Sequence, residues 1–156
     1  MRSSSQGNMQ IMKQAQAGVT LIELLTVMVV LGILASIAIP SYRAYLIRSQ
    51  RSDAMTALLS LQTAEEKHYL QNNQYTSDIT SAPTAAPPGL GLLDTSAHGL
   101  YTLSVVPTAD LQGYTATATP VSGKGQQDDT KCMNLTLTDT GVKGVSGTDD
   151  VANCWR

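Results

Sequence analysis

The stretch GVTLIELLTVMVVLGILASIAIPSY, residues 18–42, decides how this chain is built. It contains one charged side chain, Glu23, and the next charge along the chain is Arg43. Its apolar part reaches the roughly 20 residues that a helix needs to cross a bilayer. A carboxylate in hydrocarbon is costly unless it is neutralised or paired. The stretch therefore predicts a membrane-spanning helix whose carboxylate needs a partner.

The residues before this stretch indicate its orientation. They include two positive charges, Arg2 and Lys13, and no acid. Because positively charged flanks stay on the cytoplasmic side, the N-terminus is predicted to be cytoplasmic and the domain after Tyr42 to lie outside. A secretory signal peptide, cleaved after the small residues at 34–38, is the competing interpretation. The apolar run is longer than a usual signal core, and a signal peptide gives no reason for Glu23.

Length and composition suit one ordinary domain with an appendage. The 156 residues are 42% apolar, and much of that fraction lies between Val19 and Ile39. The net charge is −2, and the part from Val19 onward carries −4 because both charges before it are positive. Such a balance predicts no general attraction to nucleic acid or to an anionic membrane.

A second helical segment follows the apolar one, since no Gly or Pro interrupts residues 41–73. Apolar and semi-polar side chains recur there at helical spacing, which predicts one buried stripe. The stripe consists of Ala54, Ala57, Leu58, Leu61, Ala64 and His68. We expect one continuous helix from Thr20 to Gln71, with its second half packed on a small domain.

The rest of the chain reads as a loop followed by short strands. Residues 74–100 are punctuated by Pro and Gly, as loops are. Alternating, β-prone segments at 101–107 and 113–120 predict a hairpin, and 132–141 and 141–145 are further strand candidates. Together with the helix, they predict an α+β fold with a small antiparallel sheet.

The stretch 18–42 also closely resembles the N-terminus of type IV pilins and pseudopilins. Gly18, the run Thr-Leu-Ile-Glu-Leu, the apolar stretch and Pro-Ser-Tyr occur in order and in register. The resemblance implies a leader at 1–18 that a prepilin peptidase removes between Gly18 and Val19, with N-methylation of Val19. Val19 is smaller than the Phe that the family usually has there. The rest of the chain would then divide into a filament-core helix segment (19–40), an amphipathic helix segment (41–73), an αβ-loop (74–100) and a sheet domain (101–156).

The same resemblance implies roles within the filament. Glu23 would pair with the N-terminal ammonium of a neighbouring Val19 and set subunit register; the alternative is a protonated Glu23 without a role. Gly32 and Pro40 would mark a helix break in the filament, and a simple kink at Pro40 is the alternative. Arg43, Arg48 and Arg51 lie on a solvated or head-group-facing side, or pair with acidic loops of neighbouring subunits.

Two cysteines, Cys132 and Cys154, occur late in the chain. No histidine lies nearby, so they make a poor zinc site, and a disulfide is favoured over free thiols if this part leaves the cytoplasm. A C-terminal disulfide loop resembles that of type IV pilins, and the order of motifs is especially like PilE-type minor pilins. Type II secretion pseudopilins, the alternative, generally lack this pair. Two aspartate pairs, 128–129 and 149–150, lack EF-hand spacing, so no metal is predicted.

The functional prediction is a structural pilus subunit, most like a minor pilin, and not an enzyme. Phosphate-loop, nucleophile-elbow and metal-ligand motifs do not occur, and no cofactor is predicted. The implied partners are other pilin subunits, prepilin peptidase and the inner-membrane assembly machinery; nucleic acid is not indicated. The precursor would lie in the inner membrane and the product in an extracellular pilus. Twitching motility, adhesion and DNA uptake are activities of whole pili. A membrane-anchored periplasmic enzyme or binding domain is the alternative of another class.

Overall fold

The computed structural model describes residues 18–156, so the leader residues 1–17, with Arg2 and Lys13, lie outside it. It divides into two compact units between Ile39 and Pro40. The elements are α1 (Leu21–Asn72), β1 (Tyr101–Pro107), β2 (Tyr114–Pro120), a 3-10 turn (Gln126–Asp128), β3 (Leu135–Thr138), β4 (Lys143–Val145) and α2 (Val151–Cys154). The predicted α+β fold, a long N-terminal helix with a small antiparallel sheet, is confirmed.

Local signals fix both ends of α1. Thr20 precedes the helix, and its hydroxyl accepts the backbone N–H of Glu23 at 3.3 Å, as an N-cap residue does. Asn73 ends the helix in the left-handed conformation, with φ of 56°, and donates its N–H to the carbonyl of Tyr69. Asn tolerates this conformation better than most residues, so it is a suitable C-terminal stop.

The 52-residue helix continues through both Gly32 and Pro40. Pro40 has no N–H to donate to the carbonyl four residues earlier, yet the chain is helical on both sides of it. The predicted loss of helix between these residues concerns the packed filament. It stays a prediction.

The four strands form one antiparallel sheet in the order β1-β2-β3-β4. Alternation along each strand sends one set of side chains to the core and leaves Thr and Ser on the other face. The buried set is Tyr101, Leu103, Val105, Tyr114, Ala116, Ala118, Leu135 and Leu137. It packs against Ala54, Leu58 and Leu61, which are fully buried on α1. The helix stripe predicted from spacing therefore supplies the helical side of the core.

The αβ-loop, residues 74–100, is ordered by its own backbone hydrogen bonds. Leu90 donates to Asp78 at 2.9 Å, and Gly91 donates to Ser81 at 2.8 Å. A side chain at Gly89 would come within 2.6 Å of the Ser81 carbonyl, so this close approach requires glycine. Tyr75, Ile79 and Leu90 join the core. The loop is therefore part of the packed domain.

Candidate assembly surface and disulfide loop

The first half of α1 carries a continuous apolar surface. Every large apolar side chain from Val19 to Ile39 is at least 51% exposed. Burying one such side chain contributes about 1.5–3 kcal/mol, so this surface needs lipid or another protein to cover it. The helix is long and apolar enough to cross a membrane.

Glu23 lies in the first turn of α1 and is exposed. A negative side chain is favourable there because the N-terminal end of a helix carries partial positive charge. Thr20 and Glu23 also have the spacing of a capping box, which is a sequence signal for the start of this helix. The bond from the Glu23 N–H to Thr20 is present, and Thr26 donates its hydroxyl to the Glu23 carbonyl at 2.8 Å. Gly18 and Val19 precede the helix, and Val19 is 71% exposed.

Cys132 and Cys154 form the predicted disulfide, with their Cα atoms 5.7 Å apart. Both residues are fully buried. The bond joins the segment before β3 to α2 across a sequence separation of 22. Closing a loop of this size stabilises the fold by roughly 3 kcal/mol in the chain-entropy account.

A buried ion pair ties the loop just before Cys132 to α1. Arg51 donates from Nε to Asp129 Oδ2 at 2.7 Å and from Nη2 to Asp129 Oδ1 at 2.8 Å. Their side chains are only 6% and 2% exposed. Gln126, on the same loop, donates to the Ile47 carbonyl at 3.2 Å. The expectation of a solvated or intersubunit role for Arg51 is therefore wrong, because Asp129 neutralises it within the chain.

A cationic cleft lies beside this ion pair. It encloses about 330 Å³ and is lined by Arg48, Arg51, Lys131, Asp149, Asn153 and Arg156. Asn153 donates to Asp149 at 2.9 Å, and this hydrogen bond lowers the pKa of the Asp149 carboxyl. Because Arg51 is already paired, Arg48, Lys131 and Arg156 are the cations that the cleft offers to a ligand.

The aspartate pairs do not gather into a metal site. Asp129 contacts Arg51, and Asp149 contacts Asn153. Across residues 18–156 no group of three or more His, Cys, Asp or Glu side chains has the arrangement to hold a metal ion.

Comparison with known families gives two matches that together cover most of the chain. Residues 13–39 match the prokaryotic N-terminal methylation motif. Residues 40–136 match the family described as type IV minor pilin ComP, DNA uptake sequence receptor. The chain therefore belongs to the type IV pilins, in the ComP family of minor pilins.

Two individual sequence relatives agree with this assignment. Fimbrial protein EcpC of Eikenella corrodens is 35% identical over 131 residues, which are 82% of this chain and 80% of EcpC. The type IV major pilin protein PilE1 of Neisseria gonorrhoeae is 39% identical over 77 residues, 49% of this chain and 47% of PilE1. A solved type IV pilin from Shewanella oneidensis is 27% identical, with a TM-score of 0.47 and coverage of 70% and 98% of the two chains.

These relatives are structural pilins and not enzymes. The chain is accordingly a subunit of a type IV pilus, with the N-terminal apolar helix typical of a membrane-anchored precursor. The net charge of the chain predicted no affinity for nucleic acid. The description of the matched family mentions DNA uptake, which the composition did not predict.

Proposed function

We propose that the chain is a minor pilin that enters the pilus after cleavage between Gly18 and Val19 and methylation of Val19. The observation that carries this proposal is the exposed apolar surface of residues 19–39, which begins directly after Gly18. The match to the methylation motif over residues 13–39 supports the same processing site. Prepilin peptidase would act on the cytoplasmic side of the inner membrane, leaving the domain after Tyr42 in the periplasm.

Assembly then moves the apolar helix from lipid into a filament core of like helices. Burial of apolar surface on every subunit supplies the driving force. The inner-membrane assembly machinery extracts the subunit, and neighbouring pilins are its partners in the filament. The αβ-loop and the disulfide loop contact those neighbours from the folded domain.

Glu23 aligns each incoming subunit in this proposal. Glu23 is exposed in the single chain, so a carboxylate that enters an apolar filament core must find a positive partner. The α-ammonium of a neighbouring Val19 is such a partner, and one stagger of the two helices brings the charges together.

Mass spectrometry of sheared filaments tests the proposal. The wild-type chain should yield a methylated peptide that begins at Val19, at low copy number beside a dominant pilin. Glu23→Gln keeps the shape and removes the charge, so the cleaved subunit should enter filaments at least tenfold less often. Glu66→Gln is the matched control, since Glu66 is an exposed glutamate later on the same helix. Normal incorporation of E23Q, or a chain cut near Ala38, would refute the proposal.

DNA uptake is the second candidate function, and the cationic cleft is the observation that favours it. The matched family is described as a DNA uptake sequence receptor. Arg48, Lys131 and Arg156 line one concave surface, and such side chains bind the phosphates of DNA. Each phosphate contact adds about 0.9 to the slope of log affinity against log salt concentration.

A charge-matched pair of variants tests this second function on the full chain in detergent. Replacing Arg48, Lys131 and Arg156 with Gln should weaken binding to duplex DNA and flatten its salt dependence. Replacing Arg43, Lys67 and Lys124 with Gln removes the same charge elsewhere and should change binding little. Equal losses in both triple variants would mean that only net charge matters. Absence of binding by the wild type would exclude a receptor role for this chain.

A further inference from the structure

His68 lies under the αβ-loop and is only 5% exposed. Its Nδ1 atom is 2.9 Å from the carbonyl oxygen of Gln74, and its Nε2 atom is 3.3 Å from the carbonyl oxygen of Pro88. Both partners are acceptors. A neutral imidazole has one N–H, so only the doubly protonated ring donates to both oxygens.

The two carbonyls belong to separate parts of the αβ-loop. Gln74 follows directly after the end of α1, whereas Pro88 precedes Gly89 and Leu90, which return to the core. His68 therefore joins both ends of segment 74–88 to the same turn of the helix. Loss of one ring proton removes one of these two attachments.

Glu65 lies three residues earlier on α1, beneath the same loop, and is fully buried. Its Oε2 atom accepts the Thr76 N–H at 3.2 Å, while Oε1 has no hydrogen-bond partner among residues 18–156. Burial raises the pKa of Glu65 to about 7, although the Thr76 N–H and His68 act to lower it. The carboxyl is thus neutral in mild acid and becomes a poorly solvated anion above neutrality.

The two tyrosines near His68 and Glu65 do not change their protonation in the same pH range. Tyr75 of the loop donates to Glu66 on α1 at 3.1 Å, and burial raises the pKa of Tyr75 to about 12. Burial also raises the pKa of Tyr114, on β2, above its ordinary value. Both phenols therefore stay neutral between pH 5 and 8. The remaining charged neighbours are Lys67, which lines the same groove as His68, and Asp139, in the turn after β3.

We propose that His68 and Glu65 form a proton-controlled clamp that holds the αβ-loop against α1 in acid and loosens it as the pH rises toward 8. Both groups act in the same direction. Protonated His68 makes two attachments and protonated Glu65 avoids a buried charge, so each favours the docked loop at low pH. Since the folded-state pKa of Glu65 lies above its unfolded value, its stabilising effect is complete below about pH 4.5 and is lost as the pH rises through 7.

The clamp would make the outer surface of the domain respond to pH without a change in fold. The αβ-loop is one of the surfaces assigned above to neighbour contacts, but the clamp itself lies within the folded domain of a single chain. It holds or fails independently of processing, filament assembly and DNA binding.

Hydrogen exchange of the full chain in detergent micelles measures loop docking. Protection of peptides from residues 74–92, corrected for intrinsic exchange, should fall about tenfold between pH 5.5 and 8. Glu65→Gln should shrink this fall, and His68→Gln should leave the loop weakly protected at both values. Lys124→Gln is the control because Lys124 is exposed and lies outside the αβ-loop, and it should retain the wild-type fall. Equal protection of the wild-type loop at both pH values would overturn the proposal.

Carbon NMR of the wild-type Glu65 side chain provides a readout that does not depend on the variants folding. At pH 5.5 the Glu65 carboxyl should be neutral while the loop is docked. At pH 8 it should be charged as loop protection falls. A charged Glu65 in a docked loop at pH 5.5 would also overturn the proposal.

Discussion

The two halves of α1 have the same backbone and opposite surroundings. From Val19 to Ile39 every large apolar side chain is exposed, whereas Ala54, Leu58 and Leu61 in the second half are fully buried. The first half is apolar on all sides, and the second has an apolar stripe with polar faces. The difference shows that the sequence of one helix can suit two environments. The first half needs lipid or another protein to cover it, whereas the second half packs on the chain's own sheet.

The largest effect expected in the packed half comes from Arg51. Replacing Arg51 with Ala leaves the Asp129 carboxylate buried without its partner, which should lower the free energy of unfolding by about 4 kcal/mol. Arg48→Ala, three residues earlier and exposed, should change it by less than about 0.5 kcal/mol. Urea unfolding of the domain in detergent-solubilised chain measures both. Equal, small effects would mean that the ion pair is not buried in solution.

A leucine pair compares the two halves directly. Leu58→Ala opens a cavity against the sheet and should lower the free energy of unfolding by about 3 kcal/mol. Leu31→Ala removes the same atoms from an exposed position and should leave unfolding of the domain unchanged. The same urea titration reports the difference. A matching loss for L31A would contradict the contrast between the halves.

The smallest effect is expected at the start of the exposed first half of α1. Thr20→Ala removes the acceptor for the Glu23 N–H and should cost about 1 kcal/mol of local helix stability. Thr20→Ser keeps the acceptor and is the control. Amide exchange in the first turn, measured in micelles, should rise about fivefold in T20A alone. An unchanged rate would show that the surrounding detergent, and not the cap, holds this end of the helix.

Much of this fold could be predicted because its signals are local. The alternation of apolar and polar side chains predicted β1 at its observed bounds, Tyr101–Pro107. Helical spacing predicted Leu58 and Leu61 as core residues. The two cysteines could pair only with each other within the chain. These features depend on spacing and composition, which are read from neighbouring positions.

The missed features depend on residues that are distant in sequence. Arg51 meets Asp129 across 78 positions, so nothing near Arg51 shows that it is buried. Glu65 looks like an ordinary solvated helix residue, yet it is fully buried and accepts the Thr76 N–H of the αβ-loop. The Pro and Gly residues predict a loop, but they do not show that Tyr75, Ile79 and Leu90 anchor it in the core.

The ion pair between Arg51 and Asp129 also has a consequence in time. A ribosome makes Arg51 long before Asp129, and Cys132 before Cys154, which lies 22 positions later. Until Asp129 emerges, the helix carries an uncompensated guanidinium on the face that will be buried. The second half of α1 cannot complete its packing before Asp129 has been made. The disulfide between Cys132 and Cys154 can therefore close the domain only after synthesis has passed residue 154.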